Sequence, residues 1–221
     1  MTQNKLARNN IILLFCLLII VLFHQLLSVH SRLILKIIFT AIILSGTFSL
    51  EFNKRTRNIL IASGTIPIFL NWLSYFIING WLIITMYFSF FCFNVFIAVF
   101  MIRHIARSKN VTLDILINSI NGYLFIGVLG ALLLAMEEIL RKIGFHLDAG
   151  GINFAGSGAQ GFHDYLYFSF VTMTTLGYGD VTPVSSFAKS TTIIIAIAGQ
   201  LYLTILVAML VGKFLSRTQL D

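Results

Sequence analysis

The chain has little charge for its length. Its 221 residues include 15 lysines and arginines and 8 aspartates and glutamates, so charged residues make up 10% of the sequence and hydrophobic residues 58%. A soluble domain carries about 25% charged residues. So few charges cannot coat a globule of this size. The composition therefore excludes a disordered chain, argues against any water-soluble fold and indicates an integral membrane protein.

Cysteine is also scarce. Cys16 and Cys92 both lie within apolar runs, with no CxxC motif and no Cys/His cluster in the sequence. This excludes a disulfide scaffold and favours two small packing residues. The formal net charge of +7 would suggest nucleic acid in a soluble protein. Here we expect it to reflect loop charge on one side of a membrane, so no nucleic-acid partner is predicted.

Six apolar runs are each long enough to form a spanning helix, which needs about 20 residues. They cover residues 11–27, 33–50, 59–78, 81–102, 115–139 and 191–213. Only Asn79 and Gly80 separate the third run from the fourth, which predicts a tight turn between antiparallel helices. The first run is an alternative candidate for a signal peptide, but no small-residue cleavage site follows it.

The basic residues predict the orientation of the spans, since cytoplasmic loops carry an excess of lysine and arginine. With six spans and a cytoplasmic N-terminus, the inside set is Lys5, Arg8, Lys54, Arg55, Arg57, Arg103, Arg107, Lys109, Lys213 and Arg217. The outside set is Arg32, Lys36, Arg141, Lys142 and Lys189. We therefore expect a multi-pass protein of the cell membrane with both termini in the cytoplasm.

A segment between the last two spans behaves differently. Residues 144–161 hold six glycines and are expected to form a flexible external loop. Residues 162–174 are apolar and aromatic, but as a helix they reach only about 20 Å, too short for a hydrocarbon core of about 30 Å. Irregular backbone after such a helix is tolerated only where it lines a cavity or is buried in protein. The pattern predicts a re-entrant helix.

The residues after this short helix offer oxygen atoms without an acid until Asp180. Gly177 and Gly179 can adopt positive φ, and alternating such residues lets successive carbonyls face one side. A row of carbonyls suits a monovalent cation, whose transfer out of water into protein costs on the order of 20 kcal/mol. Because one chain supplies one oxygen per level, several chains around an axis are needed. The C-terminal end of the short helix also favours a cation.

The segment 172–180 resembles the potassium channel signature T-x-x-T-x-G-Y-G-D, with matches at Thr172, Thr175, Gly177, Tyr178, Gly179 and Asp180. The resemblance implies a selectivity filter in which K⁺ is coordinated by Thr175, Leu176, Gly177 and Tyr178, while Gly179 lets the filter turn outward. It implies filter support from Thr172, Thr174, Tyr167 and Asp180, with Tyr167 bonded to Asp180 or Tyr178.

Two positions depart from the family pattern. Leu176 stands where valine is commonest, and because its carbonyl is unchanged the effect is expected in packing behind the filter. Val171 stands where some members carry a buried acid that bonds the filter aspartate. In the sixth span, Gly199 resembles a gating hinge, and the alternative is a close helix contact.

The first four spans lack the charges of a voltage sensor. Such a sensor needs basic residues at every third position of the fourth span. Residues 81–102 carry no charge, and Arg103, Arg107 and Lys109 follow without that period. We therefore expect no strong intrinsic voltage gating, and the first four helices brace the pore or bind lipid or a partner.

Glu137 and Glu138 end the fifth span and leave two interpretations open. They can pair with Arg141 and Lys142, each four residues further on, or they can attract cations near the pore mouth.

An enzyme is the main rival class, because residues 177–180 also fit the G-x-G-D motif of intramembrane aspartyl proteases. That chemistry needs a second aspartate in an apposed span, and none of the predicted spans holds one. A non-selective cation channel and a silent subunit of another pore remain alternatives within the channel class.

The sequence thus predicts an all-α membrane protein and not an enzyme. Residues 1–110 would form a four-helix region and residues 111–221 a pore module with outer helix, pore helix, filter and inner helix. Four copies would surround one pore as a homotetramer in contact with membrane lipids. No cofactor is expected apart from permeant K⁺ ions.

Overall fold

The computed structural model describes residues 3–30, 32–49, 54–77, 79–108, 111–145, 150–154 and 161–218. This part of the chain is almost entirely helical. Its helices are α1 Gln3–His30, α2 Arg32–Thr47, α3 Lys54–Phe76, α4 Gly80–Arg107, α5 Leu113–Gly144, α6 Phe162–Met173 and α7 Ser186–Thr218. Two short strands, β1 Ile152–Phe154 and β2 Val181–Pro183, pair antiparallel with Asn153 opposite Thr182.

Four of the helices are long and apolar enough to cross a membrane. They contain the stretches Thr56–Phe76, Gly80–Arg107, Leu113–Gly144 and Ser186–Lys213. The described apolar stretches in α1 and α2 are shorter, at Ala7–Phe23 and Leu33–Thr47. Each predicted run therefore falls on a helix. Four of these helices have the length expected of a membrane crossing, and the total of six spans stays a prediction.

The connections follow from local capping. Asn79 precedes α4, and its side-chain oxygen accepts a hydrogen bond of 2.9 Å from the Trp81 backbone N–H. Thr112 caps α5 in the same way by accepting from the Ile115 N–H at 3.4 Å. Such caps satisfy backbone donors that the first helical turn leaves without partners. The predicted break at 79–80 is confirmed, whereas Lys109 lies outside the described residues.

Helix α5 is the centre of the described structure. It packs against α1, α4, α6 and α7. Polar contacts tie α1 to it, because Asn10 Nδ2 donates to Asp114 Oδ1 at 3.2 Å and Asn121 Nδ2 donates to the Asn10 carbonyl at 3.1 Å. Tyr202 of α7 donates from its hydroxyl to the Ser119 carbonyl at 2.7 Å. Its contacts with α4 join the two predicted regions, residues 1–110 and 111–221. The division into these regions stays a prediction.

The short helix appears where it was predicted. Helix α6 has 12 residues, about 18 Å at the rise of an α-helix, and packs between α5 and α7. Its start is fixed by Asp164, whose Oδ2 accepts from the Gly161 N–H at 2.9 Å. Ser169 donates to the Gly127 carbonyl at 2.7 Å and holds α6 against α5.

The strands correct one expectation, while the predicted all-helical class is confirmed. Residues 152–154 lie within the predicted flexible loop and form β1 instead. Strand β2 follows the segment 174–180 directly, so the ribbon fastens the end of that segment to the stretch that follows α5.

Candidate pore site

The segment after α6 has an alternating backbone. Thr175, Gly177 and Gly179 have φ values of 61°, 53° and 82°, in the left-handed region. The positive φ expected at the two glycines is confirmed. Alternation of this kind is the conformation expected when successive carbonyls face one side of a strand. Thr175 is the least favourable of the three, because β-branched residues avoid this region. Keeping a threonine at this φ costs about 1–3 kcal/mol of conformational free energy.

The end of α6 anchors the first half of the segment. The backbone N–H groups of Leu176 and Gly177 both donate to the Val171 carbonyl, at 3.0 and 3.3 Å, and Thr175 N–H donates to the Thr172 carbonyl at 3.0 Å. These bonds use carbonyls that a helix C-terminus leaves without internal partners. The last turn of α6 therefore sets where the segment begins.

Two of the predicted support residues make contacts within this anchor. The Thr174 hydroxyl donates to the Phe170 carbonyl at 2.7 Å and closes the last helical turn. Thr172 is half-buried and contributes the carbonyl that Thr175 bonds. The roles of Thr172 and Thr174 in an assembled filter stay predictions.

The far end of the segment is tied back to α6 by Tyr167. Its hydroxyl donates to Asp180 Oδ2 at 2.7 Å, so of the two predicted acceptors the aspartate is the one bonded. This bond raises the pKa of Tyr167 to about 12, because the carboxylate favours the protonated phenol. With Val171 in place of an acid, Tyr167 holds the aspartate on this chain.

A second connection lies beyond Asp180, at the C-terminal end of α5. The Gly151 carbonyl accepts from the N–H groups of Val184 and Ser185 at 2.9 and 3.0 Å. The Gly151 N–H in turn donates to Glu138 Oε2 at 2.8 Å. Glu138 also pairs with Lys142 at 3.2 Å, which confirms one of the two predicted i+4 pairs.

Glu137 has a partner that the sequence did not reveal. The Ser185 hydroxyl donates to Glu137 Oε1, and Ser185 Oγ also accepts from the Ala188 N–H at 2.9 Å in the first turn of α7. Both acidic side chains are buried. They therefore connect α5 to the residues that follow Asp180, and their burial disfavours the cation-attraction alternative.

Helix α7 passes close behind the end of α6 at Gly199. A Cβ on Gly199 would lie 2.7 Å from the Met173 carbonyl oxygen and would collide with the Met173 side chain. Gln200 Nε2 donates to the same carbonyl at 3.4 Å. These contacts favour the close-contact alternative for Gly199. Its role as a hinge stays a prediction.

The segment after α6 is exposed on the surface of the single chain. Leu176 and Tyr178 expose 54% and 68% of their surface, and no heavy atom lies within 4 Å of a Cβ built on Gly177 or Gly179. Much of α7 is exposed as well, with 17% of its most apolar stretch buried. Among the described residues, no group of three or more His, Cys, Asp or Glu side chains is placed to hold a metal ion. The oxygen atoms of residues 175–178 that could contact a cation are carbonyls and hydroxyls.

Two comparisons with known proteins match the part of the chain that contains this segment. A family model described as ion channel matches residues 124–216, which include the C-terminal part of α5, α6, the segment and most of α7. Two-pore potassium channel 4 of Arabidopsis thaliana is 40% identical over 63 residues, which is 28% of this chain and 22% of that protein. The match thus spans about a fifth of the relative. No solved structure gives a significant match.

Residues 124–216 are thus similar to the ion channel family over less than half of the chain. Together with the four long apolar helices, this similarity supports a multi-pass membrane protein.

Proposed function

We propose that four copies of this chain form a potassium-selective channel, with Thr175, Leu176, Gly177 and Tyr178 of each copy coordinating K⁺. The observation that carries the proposal is the alternation of positive φ at Thr175, Gly177 and Gly179 in a stretch that reads T-x-x-T-x-G-Y-G-D. Selectivity would come from rings of carbonyls that replace the hydration shell of the ion.

Exposure of the segment supports a tetramer. A K⁺ ion needs oxygens on all sides, whereas one chain presents a single strand of carbonyls. The exposed faces of Tyr178, Leu176 and α7 are the surfaces that further copies would cover. The C-terminus of α6 from each copy would point its negative dipole end toward the axis and stabilise the cation there.

Voltage is not the proposed stimulus. Each elementary charge that crosses a potential of 100 mV gains about 2.3 kcal/mol, so a sensor needs charges within a mobile span. The stretch 81–102 of α4 has none, and Arg103 and Arg107 lie in its last two turns. We place both termini on the cytoplasmic side of the cell membrane, on the count of basic residues.

Ion flux tests the proposal. Purified protein in liposomes is expected to carry K⁺ much faster than Na⁺, and the Gly177→Glu variant is expected to carry neither because a side chain would occupy the filter. Equal K⁺ and Na⁺ fluxes would contradict selectivity and favour a non-selective pore. Absence of flux from assembled protein would favour a silent subunit.

A further inference from the structure

A large cavity lies among α2, α3, α4 and the first residue of α6, apart from the filter segment. Its volume is about 700 Å³. Sites for small molecules in proteins measure about 300–1,000 Å³ and combine an apolar wall with a few convergent polar groups. This cavity has both features, and no role has been given to it so far.

The polar groups meet at one corner of the cavity. Lys36 Nζ donates to Ser74 Oγ at 2.6 Å, which holds the ammonium against α3. Asn71 Nδ2 donates to the Lys36 carbonyl at 3.0 Å, and Ser74 Oγ donates to the Asn71 carbonyl at 2.9 Å. Among the described residues that line the cavity, Lys36 alone is charged.

The position of Lys36 makes this arrangement unusual. Lys36 lies one helical turn after the start of α2, so its stem is long enough to extend toward the membrane surface, as lysines near helix ends commonly do. Here the part-buried ammonium instead meets a hydroxyl on a neighbouring helix. An ionisable group kept in such a place is a candidate for ligand recognition.

The opposite wall is aromatic. The Phe162 ring lies 5.5 Å from Tyr87 and 6.0 Å from Phe39, and Phe39 makes an edge contact with Phe90 at 5.1 Å. Tyr75 also lines the cavity. Aromatic rings attract one another in offset and edge-to-face geometries, so this wall suits a planar ring.

We propose that this cavity binds a small aromatic carboxylate. The ring would pack among Phe39, Tyr87 and Phe162, and the carboxylate would accept charge-assisted hydrogen bonds from the Lys36 ammonium. An ammonium has three donors, so it can bind a carboxylate together with partners on the protein. Because Phe162 is the first residue of α6, the bound ligand would touch the helix that anchors the filter segment.

Binding of 2-naphthoate to the purified full chain in nanodiscs tests the proposal without any ion flux, so its outcome is independent of the proposed function. We expect saturable binding by calorimetry, weakened at least about tenfold in Lys36→Met, because a charge-assisted bond is lost. The matched control Lys189→Met, at an exposed lysine outside the cavity, should bind as the original chain does.

A ligand comparison needs no variant and decides the matter even if Lys36→Met fails to fold. The neutral amide 2-naphthamide should bind at least about tenfold more weakly than 2-naphthoate. Equal affinities for the two, or equal affinities of the original chain and a folded Lys36→Met, would overturn the proposal. Absence of saturable binding, with phospholipid found bound by mass spectrometry, would overturn it in favour of a lipid occupant.

Discussion

Helices α5 and α7 are both apolar membrane helices of similar mean hydropathy, 2.0 and 2.4 over their most apolar stretches, yet they differ in burial. In α5, 61% of that stretch is buried within the chain, and in α7 only 17%. Hydropathy alone therefore predicts that a helix enters the membrane, and it does not predict what covers the helix.

The residues along the two helices explain the difference. Helix α5 carries small and polar residues where neighbours approach closely, such as Gly127 beside Phe170 and Gly130 beside Ser169 and Ile195. Small residues let membrane helices pack backbone to backbone. Helix α7 instead presents large side chains outward, including Ile193, Ile194 and Leu201. The proposed tetramer assigns part of this surface, with the filter segment, to contacts with further copies.

The largest effect is expected in the exposed segment. Gly177→Ala and Gly179→Ala place a Cβ at φ values of 53° and 82°, which costs about 1–2 kcal/mol at each position in each chain. With four copies in one pore, we expect K⁺ flux in liposomes to fall at least about tenfold. Gly212→Ala is the control, since a Cβ there meets nothing and its φ is ordinary. Unchanged flux in both filter variants would contradict the carbonyl assignment.

The next effect concerns the tight contact of α7 behind α6. Gly199→Ala forces a Cβ onto Met173, and overpacking of this kind costs about 1–3 kcal/mol. The variant should lower the thermal unfolding temperature of the protein relative to Gly212→Ala. A variant with normal stability but altered open probability would support the hinge alternative and refute the packing account.

A smaller effect is expected at the C-terminal end of α5. Glu138→Gln weakens the bond from Gly151 N–H and the pair with Lys142, each contributing on the order of 1 kcal/mol. We expect reduced thermal stability with K⁺ conductance unchanged, because the carboxylate is buried. A large loss of conductance at normal stability would restore the cation-attraction alternative.

The smallest effect is predicted for pH. The raised pKa of about 12 keeps Tyr167 protonated, so its bond to Asp180 persists below pH 10 and is lost as pH rises through 12. Flux should therefore be constant from pH 7 to 10. Tyr167→Phe removes the bond and should shorten the time for which conduction persists. A fall in flux near pH 10 that Tyr167→Phe abolishes would show that the pKa is not raised.

Local geometry could be predicted from the sequence where the residues themselves impose it. Gly177 and Gly179 indicate positive φ, because other residues disfavour that conformation. The short apolar run at 162–174 predicted the bounds of α6 within one residue. Tyr167 has a hydroxyl and a nearby acceptor, which was enough to predict its bond to one of two groups.

The remaining contacts depend on tertiary packing. Thr175 gives no sign of positive φ, because β-branched residues usually avoid it. Three-residue strands such as β1 and β2 are too short to show an alternating pattern. For Glu137, Arg141 four positions further on suggested a local ion pair. Nothing in the sequence indicated the bond with Ser185, which lies 48 residues away. For Gly199, only the position of Met173 separates packing from a hinge.

The central claim is that the exposed filter segment and α7 face further copies of the same chain. Native mass spectrometry of the purified protein, released from mild detergent, tests it most directly. The account predicts a species of four chains of 24.8 kDa each. Single chains or pairs alone, from a preparation that still conducts K⁺, would contradict it.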